Sequence, residues 1–177
     1  MKRVQHVLLL LIVVAAGCAS VPMAPVQADA AAKRFEATPG KANVYVYRNE
    51  HFGGAVRMSV VLDGALLGDT AAYTFLYTPV EPGHHHVMSK AENDSDVEFE
   101  AEEGKTYFLW QEVKMGVWSA RSALRLVQEK EGRDGVLECK LGQTSAPRPA
   151  GCSKDTDCKG ERVCKAGACV EPSLMTN

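Results

Sequence analysis

Four cysteines near the C-terminal end of the chain are the residues with the greatest capacity for chemistry. Five, five and four residues separate them, and they stand at Cys152, Cys158, Cys164 and Cys169. Cysteine thiolates ligate zinc, attack disulfide bonds or form structural disulfides, and the redox state of the compartment decides which of these occurs. Zinc sites usually contain paired C-x2-C motifs, and redox centres contain a C-x2-C motif as well. No two of these four cysteines have that spacing.

Three consecutive histidines, at residues 84–86, form the second group with chemical capacity. On a β-strand, His84 and His86 point to the same face with their Cα atoms about 6.5–7 Å apart, which is close enough to share one zinc, copper or nickel ion. A specific metal site needs further ligands, from His51 or from a carboxylate of the acidic segment 92–103. A pH-sensing role is an alternative, because like charges this close would depress each other's pKa.

Motifs of common enzyme classes are absent from the sequence. Neither G-x-S-x-G nor H-E-x-x-H occurs. The G-K-T at 104–106 lacks the glycine that a phosphate-binding loop has five residues earlier, where Phe99 stands. The carboxylates of 92–103 alternate with Val97, Phe99 and Ala101, which predicts a solvent-exposed row rather than a calcium site. We therefore predict a protein without catalytic residues and without a cofactor.

The first 18 residues indicate which compartment the protein occupies. Lys2 and Arg3 precede an apolar run from Val7 to Ala16, and small residues lead up to Cys18. This pattern is typical of an export signal, and the apolar run spans only about 15 Å as a helix, about half the hydrocarbon core of a bilayer. The ending AAGC resembles the bacterial lipobox, which predicts a lipoprotein signal peptide at 1–17 and a lipid anchor on Cys18, with palmitate as an acyl group.

The residues around this cysteine also predict the location and the partners. The alternative to the lipid is an ordinary secretory peptide that leaves Cys18 as a free thiol. Ala19 and Ser20 follow, without the aspartate that retains many Gram-negative lipoproteins in the inner membrane, so we expect the outer membrane of the cell envelope. Removal of 1–17 takes away two basic residues, changes the formal charge from −2 to −4 and leaves no basic face for nucleic acid. The expected partners are the membrane, through the N-terminal lipid, and an envelope protein or a polysaccharide.

Composition divides the chain into five parts. They are the signal peptide (1–17), a lipid-anchored tether (18–41), a β-sandwich domain (42–141), a linker (142–151) and a cysteine-rich module (152–170). The tether is rich in Ala and Pro and lacks strand alternation. A short helix within 28–37 is expected to dock Phe35 on the domain.

Short alternating segments predict seven or eight strands in an antiparallel β-sandwich or an open barrel. The first strand, NVYVYR, has apolar residues on both faces and is expected to be covered on both sides. Asp63 and Gly64 predict a hairpin turn, because both tolerate a positive φ. The segment EKEGRDGVLECKL predicts a frayed helix or an irregular stretch, since Gly132 and Gly135 each cost about 1 kcal/mol in a helix interior.

Three motifs occur in order along the predicted strands. They are Tyr47–Arg48 at the end of the first strand, the Pro82–Gly83 turn followed by His85, and the segment EGKTY at 103–107. On these motifs, the chain from about residue 32 to about residue 141 resembles a bacterial envelope family named for domain of unknown function 2846. The resemblance implies a small, often lipid-anchored protein in which His85 packs and forms hydrogen bonds, and it supplies no reaction or ligand. The turns also resemble transthyretin-like and PEGA-like modules, which favours the β-sandwich.

The four cysteines of the tail are expected to form disulfides. Export places them in an oxidising compartment, and the tail has almost no apolar residues from which to build a core. Four cysteines allow three connectivities. Their pattern resembles short myxobacterial surface modules and, loosely, the Dickkopf N-terminal repeat, which implies the pairs Cys152–Cys164 and Cys158–Cys169. Cys139 then has no partner and is either buried as a small apolar side chain or a site of intermolecular pairing.

These patterns together predict a protein that is not an enzyme. We expect a non-catalytic, lipid-anchored binding or structural module of the cell envelope, presented in the periplasm or at the cell surface. The alternative function is metal binding or sensing through the strand that carries His84 and His86.

Overall fold

The computed structural model describes residues 19–116 and 120–145, together with the backbone of residues 163–165 and 168–170. No helix in these ranges is long and apolar enough to cross a membrane. The helices are α1 (Val26–Ala32) and α2 (Glu129–Leu137). The strands are β1 (Ala42–Arg48), β2 (Met58–Leu62), β3 (Ala65–Thr70), β4 (Thr74–Val80), β5 (Gly83–Lys90), β6 (Asp94–Ala101), β7 (Thr106–Met115), β8 (Ala120–Val127), β9 (Lys140–Leu141), β10 (Val163–Lys165) and β11 (Ala168–Val170).

Strands β1–β9 form two sheets, and β10 pairs with β11 in a separate hairpin. One sheet has five strands in the order β8-β7-β1-β4-β9, and the other has four strands in the order β3-β2-β5-β6. This all-β architecture confirms the predicted class. The four-stranded sheet is antiparallel as predicted, but β1 is parallel to β7 and β4 is parallel to β9. Alternation along a strand does not fix the direction of its neighbour, which is why the sequence did not predict the parallel pairs.

The main hydrophobic core lies between the two sheets. It contains apolar side chains from both, including Val44, Val46, Leu76 and Leu109 from the five-stranded sheet and Val60, Val87 and Phe99 from the four-stranded sheet. These residues occupy alternate positions along their strands, so each strand turns one face to this core. Burial of this apolar surface is the main stabilising contribution to the packing of the two sheets.

Four buried polar side chains cross this core. The side-chain amide of Gln111 in β7 donates to the hydroxyl of Ser89 at 2.6 Å, and its carbonyl oxygen accepts a hydrogen bond from the hydroxyl of Thr70. The hydroxyls of Ser89 and Ser122 are 2.5 Å apart. Buried polar groups destabilise a fold unless they are hydrogen-bonded. The cluster therefore fixes how β3 and β5 face β7 and β8.

The other face of the five-stranded sheet is covered by α1 and α2. Tyr45 and Tyr47 of β1 point into this second core, together with Phe108 of β7. All seven residues of β1 are buried, which confirms that the strand is covered on both sides. Phe35 follows α1, and its ring centroid lies 5.4 Å from that of Tyr45 and 5.8 Å from that of Phe108. The predicted docking of Phe35 is therefore confirmed.

The described part of the predicted tether, residues 19–41, is packed against the sandwich. The N–H of Ala24 donates to the carbonyl of Leu141 at 2.9 Å, and the N–H of Leu141 donates to the carboxylate of Asp29 at 2.7 Å. The structure differs here from the flexible segment that the Ala- and Pro-rich composition predicted. Composition reports neither main-chain hydrogen bonds nor the docking of an aromatic residue, and both hold this segment.

The start of the predicted linker is also part of the folded domain. The N–H of Gly142 donates to the carbonyl of Phe75, and the N–H of Ser145 donates to the carbonyl of Leu67, each at 2.8 Å. The described chain therefore stays on the sandwich to residue 145. The predicted boundary at residue 142 lies too early, because the hydrogen bonds continue along the backbone past the last apolar residue.

Of the two predicted alternatives for this segment, the structure contains the helix, and α2 is regular from Glu129 to Leu137 rather than frayed. Its two glycines are the points of closest approach to the sheet. A Cβ added to Gly132 would lie 2.2 Å from Phe108, and one added to Gly135 would lie 2.2 Å from Tyr47. The absence of side chains lets the helix pack directly on the aromatic rings. Tertiary packing thus outweighs the low helix propensity of glycine.

Replacing Gly132 by alanine is expected to destabilise the domain, although alanine favours helix formation by about 1 kcal/mol. The added methyl group would collide with Phe108, and overpacking of this kind costs about 1–3 kcal/mol. Urea denaturation measures the change in the free energy of unfolding. The control Lys130→Ala lies on the exposed face of the same helix and should change that free energy by less than about 0.5 kcal/mol. A Gly132→Ala variant as stable as the wild type would contradict the close contact.

Candidate functional site

The sandwich has two ends, which we name after the described residues that lie there. At the Ala19 end, the N–H of Ala19 donates to the carbonyl of Gly54, in the loop 49–57 that joins β1 to β2, at 3.0 Å. At the Ser145 end, Ser145 and Asp63 line one apolar cleft of about 240 Å³. Strand β2 runs from the loop 49–57 to the turn at Asp63. Ala19 therefore lies beside the loop 49–57, whereas Ser145, whose N–H donates to the carbonyl of Leu67 in β3, lies nearer the turn at Asp63.

The loop 49–57 is built around the buried side chain of Arg48. The guanidinium group donates to the carbonyl of Val56 at 2.8 Å, of Phe52 at 3.1 Å and of Gly53 at 2.6 Å. Arg48 is 0% exposed, and within the described residues its Nε has no hydrogen-bond partner. Burial lowers the pKa of Arg48, and the nearby charge of Glu50 opposes this effect. The charge is thus stabilised mainly by carbonyl oxygens of the loop, which fixes the path of the loop.

Gly53 allows the same loop to pack against β7. Its φ is +68°, and a Cβ at this position would lie 2.7 Å from a methyl group of Val113. Both features require glycine. The preceding residue, Phe52, points away from the core, and its side chain is 49% exposed. The loop is therefore an ordered structure that holds a large apolar side chain in solvent.

His85 is the one buried histidine of the triplet, and it connects two turns. Its Nε2 donates to the carbonyl of Glu81 at 2.7 Å, and its Nδ1 lies 2.7 Å from the carboxylate of Asp63. The carbonyl and the carboxylate both accept, so this site favours the doubly protonated, positively charged imidazole. Burial lowers the pKa of His85, but the hydrogen bonds to Glu81 and Asp63 outweigh it and raise the pKa overall. The other oxygen of Asp63 accepts the N–H of His86.

His84 and His86 lie on the solvent-facing side of β5. Each is close to one carboxylate of β6, His84 to Glu98 at 3.7 Å and His86 to Asp96 at 3.2 Å. His51, a predicted additional ligand, lies instead against Tyr73 at the Ala19 end. Among residues 19–116 and 120–145, no three potential ligands from His, Cys, Asp and Glu form a metal-binding group. The carboxylates of β6 are exposed to solvent, as their alternation predicted.

The cysteines fall into three structural situations. Cys18, Cys152 and Cys158 lie outside the described residues. Cys164 and Cys169 are described only in their backbone, where they are opposite each other in the β10–β11 hairpin. The implied disulfide pairing stays a prediction.

Cys139 is buried, with 1% exposure, and its thiol donates to the carbonyl of Arg48 at 3.5 Å. Burial raises the pKa of this thiol to about 12. Of the two alternatives that the sequence left open for Cys139, the structure therefore favours the buried apolar side chain over intermolecular pairing. A thiol that is both protonated and inaccessible is a poor nucleophile.

A polar cleft of about 300 Å³ lies between α2 and the five-stranded sheet. The guanidinium carbon of Arg125 lies 4.2 Å from the ring centroid of Trp110, and the indole N–H donates to Asn49 at 2.9 Å. One face of the indole is therefore covered by the chain's own cation, and its polar atom is satisfied. This arrangement stabilises the domain and leaves no open aromatic platform at Trp110.

Sequence reasoning missed the role of Arg48 and the pairing of Asp63 with His85. A signal for Arg48 exists in the sequence, because an arginine directly after the four apolar residues 44–47 must either leave the core or be hydrogen-bonded within it. Asp63 was predicted only as a turn residue. Its partner is 22 positions away, and no local pattern predicts such a contact.

Comparisons with known proteins cover the same part of the chain. Residues 38–123 match the family described as a protein of unknown function (DUF2846). An uncharacterized protein of Haemophilus influenzae is 32% identical over 126 residues, which cover 70% of this chain and 75% of the relative. No solved structure matches the chain.

Replacing Asp63 by asparagine should destabilise the domain at acid pH, because it removes the negative charge beside the His85 imidazolium. Asparagine tolerates the positive φ of this turn position, so the turn itself is kept. We expect a loss of about 1–2 kcal/mol in the free energy of unfolding at about pH 6. The folded-state pKa of His85 is raised, so its contribution is fully present below the unfolded pKa of about 6.5 and is lost as the pH rises through the folded pKa.

Urea denaturation at about pH 6 and about pH 9 measures this effect, and the loss should shrink at the higher pH. The matched control is Asp96→Asn, which removes the carboxylate beside the more exposed His86. It should change the free energy of unfolding by less than about 0.5 kcal/mol at either pH. An equal loss at both pH values for Asp63→Asn would show that the charge pair is not the cause.

Proposed function

The chain belongs to the DUF2846 family of proteins of unknown function, and we propose that it is a non-catalytic, lipid-anchored module of the cell envelope. The proposal combines a lipid on Cys18, the rigid sandwich and the cysteine-rich module of residues 152–170. Support for the anchor comes from the basic residues, the apolar run and the AAGC ending of the N-terminal segment. The outer membrane is the proposed location, because no aspartate follows Cys18.

The observation that carries the proposal is that Ala19 lies beside the loop 49–57, whereas Ser145 lies beside Leu67 of β3, nearer the turn at Asp63. A lipid on Cys18 would hold the Ala19 end at the bilayer. The segment that leads to the cysteine-rich module would then begin at the end that faces away from the bilayer. The N–H of Gln143 donates to the carbonyl of Pro22, so Ala19 and Ser145 are separated by at most about 20 Å. The domain thus acts as a spacer that presents the module at a distance from the membrane.

The presented module is the proposed contact site for an envelope protein or a polysaccharide. Residues 152–170 contain few apolar side chains beyond Val163 and Val170, so most of the side chains are polar. Disulfides between Cys152 and Cys164 and between Cys158 and Cys169 would stabilise such a segment without a core, by about 3 kcal/mol for each loop of this size. The module would then offer a constrained polar surface to its partner.

The alternative function, metal binding or sensing by His84 and His86, has less support. Each of these histidines is paired with a different carboxylate. A metal ion would have to replace both pairs, and the described residues provide no group of three ligands around it. His85, between them, is held by Asp63 and Glu81 and serves the packing of two turns.

Intact mass spectrometry of the protein extracted from membranes tests the anchor and the disulfides together. We expect a chain that begins at Cys18 and carries acyl chains. Under non-reducing conditions, iodoacetamide should modify no cysteine in the folded protein and one after denaturation, because Cys139 is buried and has no disulfide partner among residues 19–116 and 120–145. Reduction should then expose the four tail cysteines.

The matched control is Cys139→Ala, which should lose the single modification that appears on denaturation. An unlipidated mass would refute the anchor. Modification of tail cysteines before reduction would refute the disulfides, and modification of Cys139 in the folded protein would contradict its burial.

Crosslinking in intact cells tests the proposed role of the module. A chain without residues 152–170 should keep its lipid and its folded sandwich, because the described domain ends before this segment. It should lose the crosslinked species that the full chain forms. Equal crosslinking by both chains would place the partner contact on the sandwich instead.

A further inference from the structure

The loop 49–57 lies directly beside the point where the proposed lipid would leave the chain. The N–H of Ala19 donates to the carbonyl of Gly54 at 3.0 Å, and Ala19 is joined to Cys18 by a peptide bond. Consecutive Cα atoms are about 3.8 Å apart, so no spacer exists between the lipidated residue and the loop. A diacylglycerol on Cys18 would therefore bring this loop to the level of the lipid headgroups.

The loop has the features of a preformed contact surface. Three hydrogen bonds from Arg48 fix its backbone, and Gly53 packs against Val113. Phe52 is held outward with 49% of its side chain exposed. An aromatic side chain exposed to water contributes little to the stability of the domain. The same side chain is favoured at the apolar boundary of a bilayer.

Charges of both signs lie at the Ala19 end of the sandwich. Arg57 at the end of the loop and Lys140 of β9 are both exposed at the Ala19 end. Carboxylates lie at this end as well, because Glu50 accepts the N–H of Val113, Glu138 accepts a hydrogen bond from Asn49, and Asp69 and Asp94 flank the start of β2. The feature that favours a bilayer here is therefore the exposed side chain of Phe52 rather than the charge.

We propose that the loop 49–57 is a membrane-contact surface on which Phe52 inserts between lipid headgroups and fixes the orientation of the sandwich on the bilayer. The proposal rests on the lipid at Cys18. Several acyl chains already attach a lipoprotein stably. Phe52 therefore determines which way the domain stands on the membrane, and the Ser145 end is held away from it. The binding partner of this surface is the lipid bilayer.

Tryptophan fluorescence tests the insertion of Phe52. The lipidated full-length Phe52→Trp variant is reconstituted into vesicles of phosphatidylethanolamine and phosphatidylglycerol, with or without brominated acyl chains. The matched control is Leu66→Trp, which replaces an exposed apolar residue of β3 that pairs with Val61 of β2, near the turn at Asp63. The emission of the native Trp110 and Trp118, measured on the parent protein, is subtracted from the emission of each variant.

We expect the emission of Phe52→Trp to shift to shorter wavelength in vesicles and to be quenched by brominated chains, with no shift and no quenching for Leu66→Trp. Intact mass of each sample reports lipidation independently. A lipidated Phe52→Trp protein without quenching would overturn the membrane contact and leave the anchor intact. An unlipidated mass would refute the anchor itself.

A second measurement needs no substitution. Amide hydrogen exchange in residues 51–57 of the lipidated wild type in vesicles is compared with that of a chain that begins at Ala19, in solution. Exchange in this loop should slow on the membrane, while exchange in residues 63–66 stays unchanged. Equal exchange of the loop in both samples would also overturn the proposal.

Discussion

The burial of β1 on both faces is the constraint from which most of the structure follows. A strand with all seven residues buried needs a layer on each side. The four-stranded sheet covers one face, and the two helices cover the other. The need to cover the second face of β1 explains why residues 19–41 and 129–141 belong to the domain, although their composition is that of peripheral segments. It also explains the glycines of α2, because a helix that covers aromatic rings of a central strand must approach them closely.

The last residue of this strand brings a positive charge into the interior. Arg48 is bonded to three carbonyl oxygens rather than to a carboxylate, so a short loop has to bend around the guanidinium group. Exposed ion pairs on this protein, such as Lys130 with Asp134, contribute little to stability because solvent screens them. The guanidinium group of Arg48 is buried, so solvent cannot replace its hydrogen bonds to the loop. The shape of the Ala19 end is therefore a consequence of how a single cation is solvated by the backbone.

The sequence was sufficient for features that depend on neighbouring residues. The turn at Asp63 and Gly64 has positive φ at both residues, and β1 is buried on both faces, as predicted. Features that depend on distant residues were not predictable. The parallel pairing of β1 with β7, the charge pair of Asp63 with His85 and the regular helix α2 all require knowledge of what packs against them. For the candidate site, the histidines were located correctly on one strand, but the loop around Arg48 was not foreseen.

The burial of Cys139 affects how the chain can oxidise while it folds. An unfolded chain in an oxidising compartment would offer this thiol to the four cysteines of the tail, and mixed disulfides form by attack of an accessible thiolate. Closing the sandwich removes Cys139 from the exchange, because the thiol is then buried with a pKa of about 12. Only the three connectivities among the tail cysteines then remain. In the proposed disulfide-bonded module, correct cross-linking would then depend on whether the sandwich closes before the tail is oxidised.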